Sequence, residues 1–303
     1  PIAQSRAEVE KCATTLEYYA ANARNLLKDE IVETDARKSY VSFQPLGVIL
    51  AIMPWNFPYW QVFRAMAPAL MAGNVMILKH ASNVSGCALA IQDVLKKAGA
   101  PTGIFHTLLL PGSQVGSLIE NNAIAAITLT GSTEAGKKVA AQAGAHIKKQ
   151  VLELGGSDAY IVLEDADLDL AVRIAVDGRL VNSGQSCVAA KRFVVVKEIN
   201  KEFTRRMVAA MDAARFGDPF DTENKIGPLA RVDLRDQLHE QVLKSIEKGA
   251  KLLCGGFIPE GEGAYYPPTV LSKVKKGMPA YDEELFGPVA SIIEAKDEKD
   301  AIR

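Results

Sequence analysis

From Gly47 onward the chain alternates short apolar runs with longer amphipathic ones, and this alternation restricts its fold more than any other feature. The runs at 47–53, 74–79, 103–110 and 125–130 read as strands, with helices following from about Tyr59, Val84, Ser113 and Thr133. Repeated strand-then-helix order predicts parallel strands joined by right-handed crossovers, a doubly wound α/β domain. A further strand at 149–154 ends at Gly155-Gly156, after which the pattern restarts with a strand from Tyr160 and a helix from about Leu168. The expected organisation is therefore a first domain of residues 1–30 and 45–155 and a second α/β domain over 156–303, with a strand at 192–197 and helices near 201–214 and 231–248. Residues 2–27 have helical spacing, whereas 31–44 are polar, charged and partly alternating, as in Tyr40-Val41-Ser42-Phe43, and read as an arm of strands.

Thirty-five Lys and Arg against thirty-six Asp and Glu leave a net charge of -1, so no global field draws the protein to nucleic acid or anionic lipid. No apolar run reaches the length that spans a bilayer. The four cysteines, Cys12, Cys87, Cys187 and Cys254, form no C-x-x-C pair, and His80, His106, His146 and His239 lack ligand spacing. This argues against a disulfide framework and a metal site, and fits a reducing, cytoplasmic compartment. The first residues open directly into helical pattern without a basic region and apolar core, so no signal peptide is expected. Small-molecule chemistry remains.

A doubly wound domain suggests a nucleotide, yet no G-x-G-x-x-G follows a strand; the nearest approaches run from Gly112 to Gly116 and from Gly131 to Gly136. Gly131-Ser132 sits where a strand meets a helix N-terminus, a place suited to a pyrophosphate and equally to a plain helix entry. Cys187 follows Asn182-Ser183-Gly184-Gln185-Ser186 and precedes Lys191-Arg192, polar and basic surroundings that favour a thiolate, although a free cysteine also serves as a small buried hydrophobe. Glu153 ends an apolar strand before two glycines; buried there it would be raised towards a general base's range, and facing outward it would be a plain surface carboxylate. Pro54-Trp55-Asn56-Phe57-Pro58 holds a side-chain amide between two prolines just past a strand's carboxyl end, where it could donate to an oxyanion.

Six segments in register resemble the aldehyde dehydrogenase superfamily: Pro54-Trp55-Asn56-Phe57-Pro58, Leu78-Lys79, Thr130-Gly131-Ser132-Thr133, Leu152-Glu153-Leu154-Gly155-Gly156, Gly184-Gln185-Ser186-Cys187 and Glu284-Leu285-Phe286-Gly287-Pro288. Within the superfamily the chain is most similar to succinate-semialdehyde dehydrogenases, notably the bacterial branch with Lys79-His80-Ala81 and Gly155-Gly156-Ser157-Asp158. The resemblance implies a cofactor-binding domain, an oligomerisation arm at 31–44 and a catalytic domain from 156. It implies a Cys187 thiolate that attacks the aldehyde, an oxyanion held by the Asn56 amide and the Cys187 N–H, and a thioester hydrolysed by water that Glu153 deprotonates. It places Glu284 on the nicotinamide ribose with Phe286 beside it, Lys79 on the adenosine ribose or its phosphate, and Ser132 on the pyrophosphate. Trp55, Gly112, Gly131 and Leu154 belong to the same cofactor surface.

Many NAD-specific relatives carry a Glu where Ser82 stands; a neutral hydroxyl removes that repulsion of a 2′-phosphate, so NADP is expected to be accepted alongside NAD. Arg64, eight residues after Asn56, matches the arginine that grips the far carboxylate in similar semialdehyde dehydrogenases. A second arginine found in some of them is Val181 here, with Arg179 two residues further away. Ala189 replaces the second cysteine of relatives with a redox switch, so none is expected. The resemblance further implies that the end of the catalytic domain and a C-terminal oligomerisation strand lie beyond Arg303, that residues 1–303 alone would show poor stability and little activity, and that the complete protein is a homodimer or homotetramer. Alternatives are another aliphatic aldehyde or semialdehyde as substrate, acyl transfer to coenzyme A, which Glu153 argues against, and a catalytically silent structural homologue, against which Cys187, Glu153 and Asn56 stand together.

Overall fold

The computed structural model describes all 303 residues, which fall into two units: Arg6–Leu154, and Gly155–Arg303 with Pro1–Ser5. Most of α1 (Ile2–Leu26) lies in the first, followed by β1 (Glu30–Ile31), β2 (Tyr40–Val41), β3 (Val48–Met53), α2 (Trp60–Met71), β4 (Val75–His80), α3 (Ser85–Lys97), β5 (Phe105–Thr107), α4 (Val115–Glu120), β6 (Ile124–Gly131), α5 (Thr133–Ala145) and β7 (Lys149–Leu154). β3 reads Val-Ile-Leu-Ala-Ile-Met, six residues without a charge, a run that is stable where helices cover both faces. Ala51 and Met53 pack on one side with Val62, Phe63 and Met66 of α2 and Ile91 of α3. Leu50 packs on the other with Ile119 of α4 and Val139 and Ala143 of α5.

β3 to β7 form one parallel sheet in the order β5-β4-β3-β6-β7, the doubly wound arrangement. β5 is shorter than the expected 103–110, because after Leu108 bonds back to Leu78 O the chain surfaces at Leu109 and meets Pro111. The expected helix from Ser113 begins as a 3-10 turn over Gly112–Gln114 and becomes α4 at Val115. β1 and β2 pair antiparallel as a separate hairpin that exposes Ile31, Val32, Tyr40, Val41 and Phe43.

The second unit contains β8 (Ala159–Val162), α6 (Leu168–Leu180), β9 (Arg192–Val196), α7 (Lys197–Asp212), α8 (Val232–Glu247), β10 (Lys251–Cys254), β11 (Thr269–Ser272), α9 (Pro279–Asp282), β12 (Val289–Ala295) and α10 (Glu298–Ile302). Its sheet runs β10-β11-β12-β9-β8, and only the β10-β11 pair is antiparallel. α6 starts where Asp167 accepts from the N–H groups of Asp169 and Leu170, which satisfies two donors of its first turn. Leu180 of α6 and Phe203 and Met207 of α7 close over Phe193 of β9, while Leu238 and Val242 of α8 pack with Leu271 and Leu285. No helix is long and apolar enough to cross a membrane.

Leu50, fully buried between β3 and its helices, should lose about 3 kcal/mol on truncation to alanine, whereas exposed Leu109→Ala should change stability by less than about 0.5 kcal/mol. Urea unfolding of the two variants checks the contrast.

Candidate active site

In the order β5-β4-β3-β6-β7 the chain runs from β3 through β4 to β5 at one edge and then returns to β6 on the other side of β3, so the strand order reverses between β3 and β6. Such a reversal is where open parallel sheets hold ligands, outside the carboxyl ends of the two strands. Candidate residues of this unit gather at strand carboxyl ends: Trp55 and Asn56 after β3, Lys79 near the end of β4 with Ser82 beyond it, Gly112 after β5, Gly131-Ser132 closing β6, and Glu153-Leu154 closing β7. Trp55 and Asn56 are half-buried, whereas Ser82 and Gly112 are exposed. Lys79 is only 8% exposed; burial pushes its pKa down, and no carboxylate offsets that cost. Ser132 accepts from Ala135 N–H at 3.3 Å and so caps α5, beneath the backbone N–H groups of its first turn. Leu154 lies against Gly136, where an added Cβ would stand 2.5 Å from its Cδ2.

His80, which the sequence offered only as a branch mark, secures the Asn56 loop. Its Nε2 stands 2.8 Å from Pro58 O, and its Nδ1 lies 2.9 Å from Ala81 N and 3.2 Å from Met53 O; in the neutral ring with the hydrogen on Nε2, Nε2 donates to Pro58 and Nδ1 accepts Ala81 N–H. Burial lowers the imidazole's pKa, against the raising effect of the Pro58 and Met53 carbonyls.

The sequence left two orientations open for Glu153, and the structure takes the outward one. Glu153 is not buried: its side chain is 51% exposed, because the carboxylate turns towards Arg64 of α2 in place of the apolar strand interior. Arg64 is in turn engaged within the protein, with Nη1 at 3.4 Å from Glu153 Oε1 and Nη2 donating to Thr130 Oγ1 at 3.0 Å. Both residues line a groove of about 690 Å³ with Ile49, Pro68, Met76 and Ala126.

In the other unit the chain leaves α6 through three successive left-handed residues, Asn182 (φ 52°), Ser183 (φ 55°) and Gly184 (φ 75°). Such a turn costs about 1–3 kcal/mol per non-glycine residue and persists only when its surroundings over-determine it. Gln4 Oε1 accepts Asn182 N–H at 2.6 Å, Ser183 Oγ exchanges hydrogen bonds with both Gly227 N and Gly227 O, and Gln185 Oε1 accepts Ala230 N–H. Gly184 is obligatory for a second reason. A Cβ there would lie 2.2 Å from both C and O of Gly287, so the Gly-Gln-Ser-Cys turn and the Glu-Leu-Phe-Gly-Pro segment touch backbone to backbone.

The half-buried Cys187 follows this turn, between two buried cations. Arg179 of α6, fully buried, donates from Nη2 to Gly184 O at 2.6 Å; Lys191, 1% exposed, donates from Nζ to Cys187 O at 2.6 Å and meets Glu284 Oε1 at 3.0 Å. Burial lowers the pKa of both, and Glu284 opposes the change. Gly155 leaves room for the carboxylate, since a Cβ there would stand 2.0 Å from Glu284 Oε2. Phe286 is half-buried in the same segment. By contrast, burial pushes the Cys12 and Cys254 thiols up to about 11, as suits packing residues. Sequence reasoning saw Lys191 only as nearby charge, and Arg179 only as an arginine two residues removed from a second carboxylate-binding position. Lys191 lies four residues after Cys187, a spacing that could have suggested a turn closed by the ammonium.

A profile of the aldehyde dehydrogenase family matches residues 1–303. The chain is 52% identical over 302 residues to a succinate semialdehyde dehydrogenase [NAD(P)+] of Escherichia coli, covering all of this chain and 65% of that protein. It is 51% identical to a succinate-semialdehyde dehydrogenase [NADP(+)] of Mycobacterium avium, covering 98% of this chain and 64% of the relative. Among solved structures, succinic semialdehyde dehydrogenase from Streptococcus pyogenes in complex with NADP+ superposes with a TM-score of 0.95 at 37% identity, over 98% of this chain and 65% of that one. A lactaldehyde dehydrogenase superposes at 0.94 with 38% identity, over 98% and 63%. The chain thus spans about two thirds of the length of these relatives.

Gly184→Ala should lose more than about 2 kcal/mol, since it adds a backbone clash to a left-handed φ; unchanged thermal unfolding would contradict the close approach. Neutral His80 is the folded form, so its contribution is complete above pH 6.5, the ordinary histidine value, and falls as acid protonates it. Stability should decline below that pH in the parent and decline less steeply in His80→Gln, as read by melting temperature against pH.

Proposed function

The chain belongs to the aldehyde dehydrogenase family, and we propose that the protein oxidises succinate semialdehyde, or a closely similar aldehyde with a distal carboxylate, to the acid with NAD(P)+. The observation that carries this reading is Cys187 on a turn fixed by buried Lys191, with Glu284 on the same ammonium. The Cys187 thiolate attacks the carbonyl carbon, and the oxyanion of the thiohemiacetal is held by the Cys187 backbone N–H and the Asn56 amide. Bound nicotinamide supplies a hydride acceptor, which leaves a thioester on Cys187. Glu153, exposed enough to reach water, takes the proton from the molecule that hydrolyses it.

The residues fit a dinucleotide. Lys79 is a buried cation without a carboxylate, the first turn of α5 presents backbone N–H groups, and the missing Cβ of Gly155 keeps space beside Glu284. Lys79 and Ser82 would take the adenosine ribose or its 2′-phosphate, Gly131 and Ser132 the pyrophosphate, and Glu284 with Phe286 the nicotinamide ribose; Trp55, Gly112 and Leu154 would complete the cofactor surface. Nothing anionic stands at Ser82 to repel a 2′-phosphate, which supports use of NADP as well as NAD. The cofactor domain accordingly comprises 1–30 and 45–155, and the catalytic domain 156–303. The hairpin exposes several apolar side chains among its polar ones, with Ile31 70% exposed, which suits an arm at 31–44 that assembles a homodimer or homotetramer. Four free thiols suit a reducing cytoplasm.

Arg64 would grip the substrate's far carboxylate, in competition with Glu153. That ion pair favours a second reading, an uncharged aliphatic aldehyde. Absorbance of the reduced nicotinamide, measured with the full-length protein on succinate semialdehyde and an uncharged aldehyde of equal length, separates the two. Arg64→Ala should lower kcat/KM for the semialdehyde by about tenfold to a hundredfold and leave the uncharged aldehyde unchanged, the loss of one charge-assisted contact. A carboxylate preference that is absent, or that survives Arg64→Ala, refutes the semialdehyde assignment. Cys187→Ala should abolish turnover and still bind NADP+; steady-state oxidation near the parent rate would refute the nucleophile.

A further inference from the structure

We infer that Lys191 is a positioning residue that couples occupation of Glu284 to the main chain of the nucleophile, because one buried ammonium holds both the Cys187 carbonyl, at 2.6 Å, and the Glu284 carboxylate, at 3.0 Å. The inference rests on the proposed assignments of Cys187 and Glu284.

An ammonium that is 1% exposed has little water to replace a lost partner, so its two acceptors are not independent. Glu284 is the larger influence keeping Lys191 charged, both as a nearby charge and as a partner; the Cys187 side acts in the same direction, and buried Arg179 acts against it. Hydroxyl groups donating to Glu284 would draw charge away from Lys191, and the ammonium would then lean more heavily on the Cys187 carbonyl. By reciprocity, a change at Cys187 alters how tightly Glu284 is held. Displacement of that carbonyl is transmitted directly, since Gly184 is pinned at the other end of the turn by Arg179 and by the Gly287 backbone. A shift of the Cys187 carbonyl therefore carries the Cα from which the sulfur is hung. Glu284 itself has room to respond: its side chain is 26% exposed, and Gly155 offers no Cβ to block it.

The test is the rate at which iodoacetamide alkylates Cys187 in the full-length protein, with and without saturating NADP+, read by mass spectrometry of the Cys187 peptide. The parent should show a cofactor-dependent change in rate of about tenfold, the worth of one charge-assisted hydrogen bond. Lys191→Met, with the same melting transition and with NADP+ binding retained, should bring the ratio close to one; Lys191→Arg, which keeps the charge, should restore part of it. A Lys191→Met protein with the parent's ratio, or a parent with a ratio of one, overturns the coupling. Should Lys191→Met fail to fold, Glu284→Gln answers the same question: its ratio should fall towards one at saturating NADP+, and a parent-like ratio overturns the inference. A Glu284→Gln variant with an unchanged NADP+ dissociation constant would instead overturn the ribose assignment and the coupling with it.

Discussion

Two glycine backbones in van der Waals contact, Gly184 and Gly287, set the position of everything else in the Gly155–Arg303 unit that bears on chemistry. The Asn182–Gly184 turn is left-handed, and the contact at its last residue brings the segment with Glu284 and Phe286 beside the one with Cys187. A strained turn of this kind is unstable alone. It is held by hydrogen bonds to Gln4 and from Gly227 and Ala230, and by cations on the carbonyls of Gly184 and Cys187.

Those cations carry a cost that the local geometry only partly offsets. Arg179 is fully buried with Nε and Nη1 unbonded, so its desolvation is offset by few contacts. Here Glu284 is the carboxylate whose field opposes the desolvation of both Arg179 and Lys191. The same carboxylate is the expected ribose ligand, so the charge balance around the nucleophile and the cofactor anchor share one group. In the Arg6–Leu154 unit the logic is different. A parallel sheet buries its strands on both faces and leaves only their carboxyl ends to present polar groups, which is where Asn56, Lys79, Ser132 and Glu153 stand.

Much of this was legible in the sequence. The period of the strand-helix alternation gave β3, β4, β6, β7 and α5 nearly to the residue, because uncharged strands flanked by amphipathic helices admit few other readings. β10, β11 and β12 were not foreseen. They are short and joined through turn-rich chain, and β12, Val-Ala-Ser-Ile-Ile-Glu-Ala, is a mostly buried run announced only by the four-residue α9 on the crossover before it. The facing of Glu153 was left open, because β7 is a largely exposed edge strand and alternation alone does not say which of its faces is buried; the carboxylate meets Arg64 of α2. The roles of His80, Arg179 and Lys191 depend on partners 4 to 27 residues away through main-chain carbonyls, and carbonyls leave no mark in a sequence.

The central claim is that the fixed turn presents Cys187 as the atom that carries the acyl group. The most direct measurement is intact-protein and peptide mass spectrometry of full-length Glu153→Gln quenched in acid after exposure to NADP+ and succinate semialdehyde. The account predicts that hydrolysis is slowed and that the Cys187 peptide alone gains the mass of the succinyl group. An unmodified Cys187, or the acyl group on another cysteine, would contradict it.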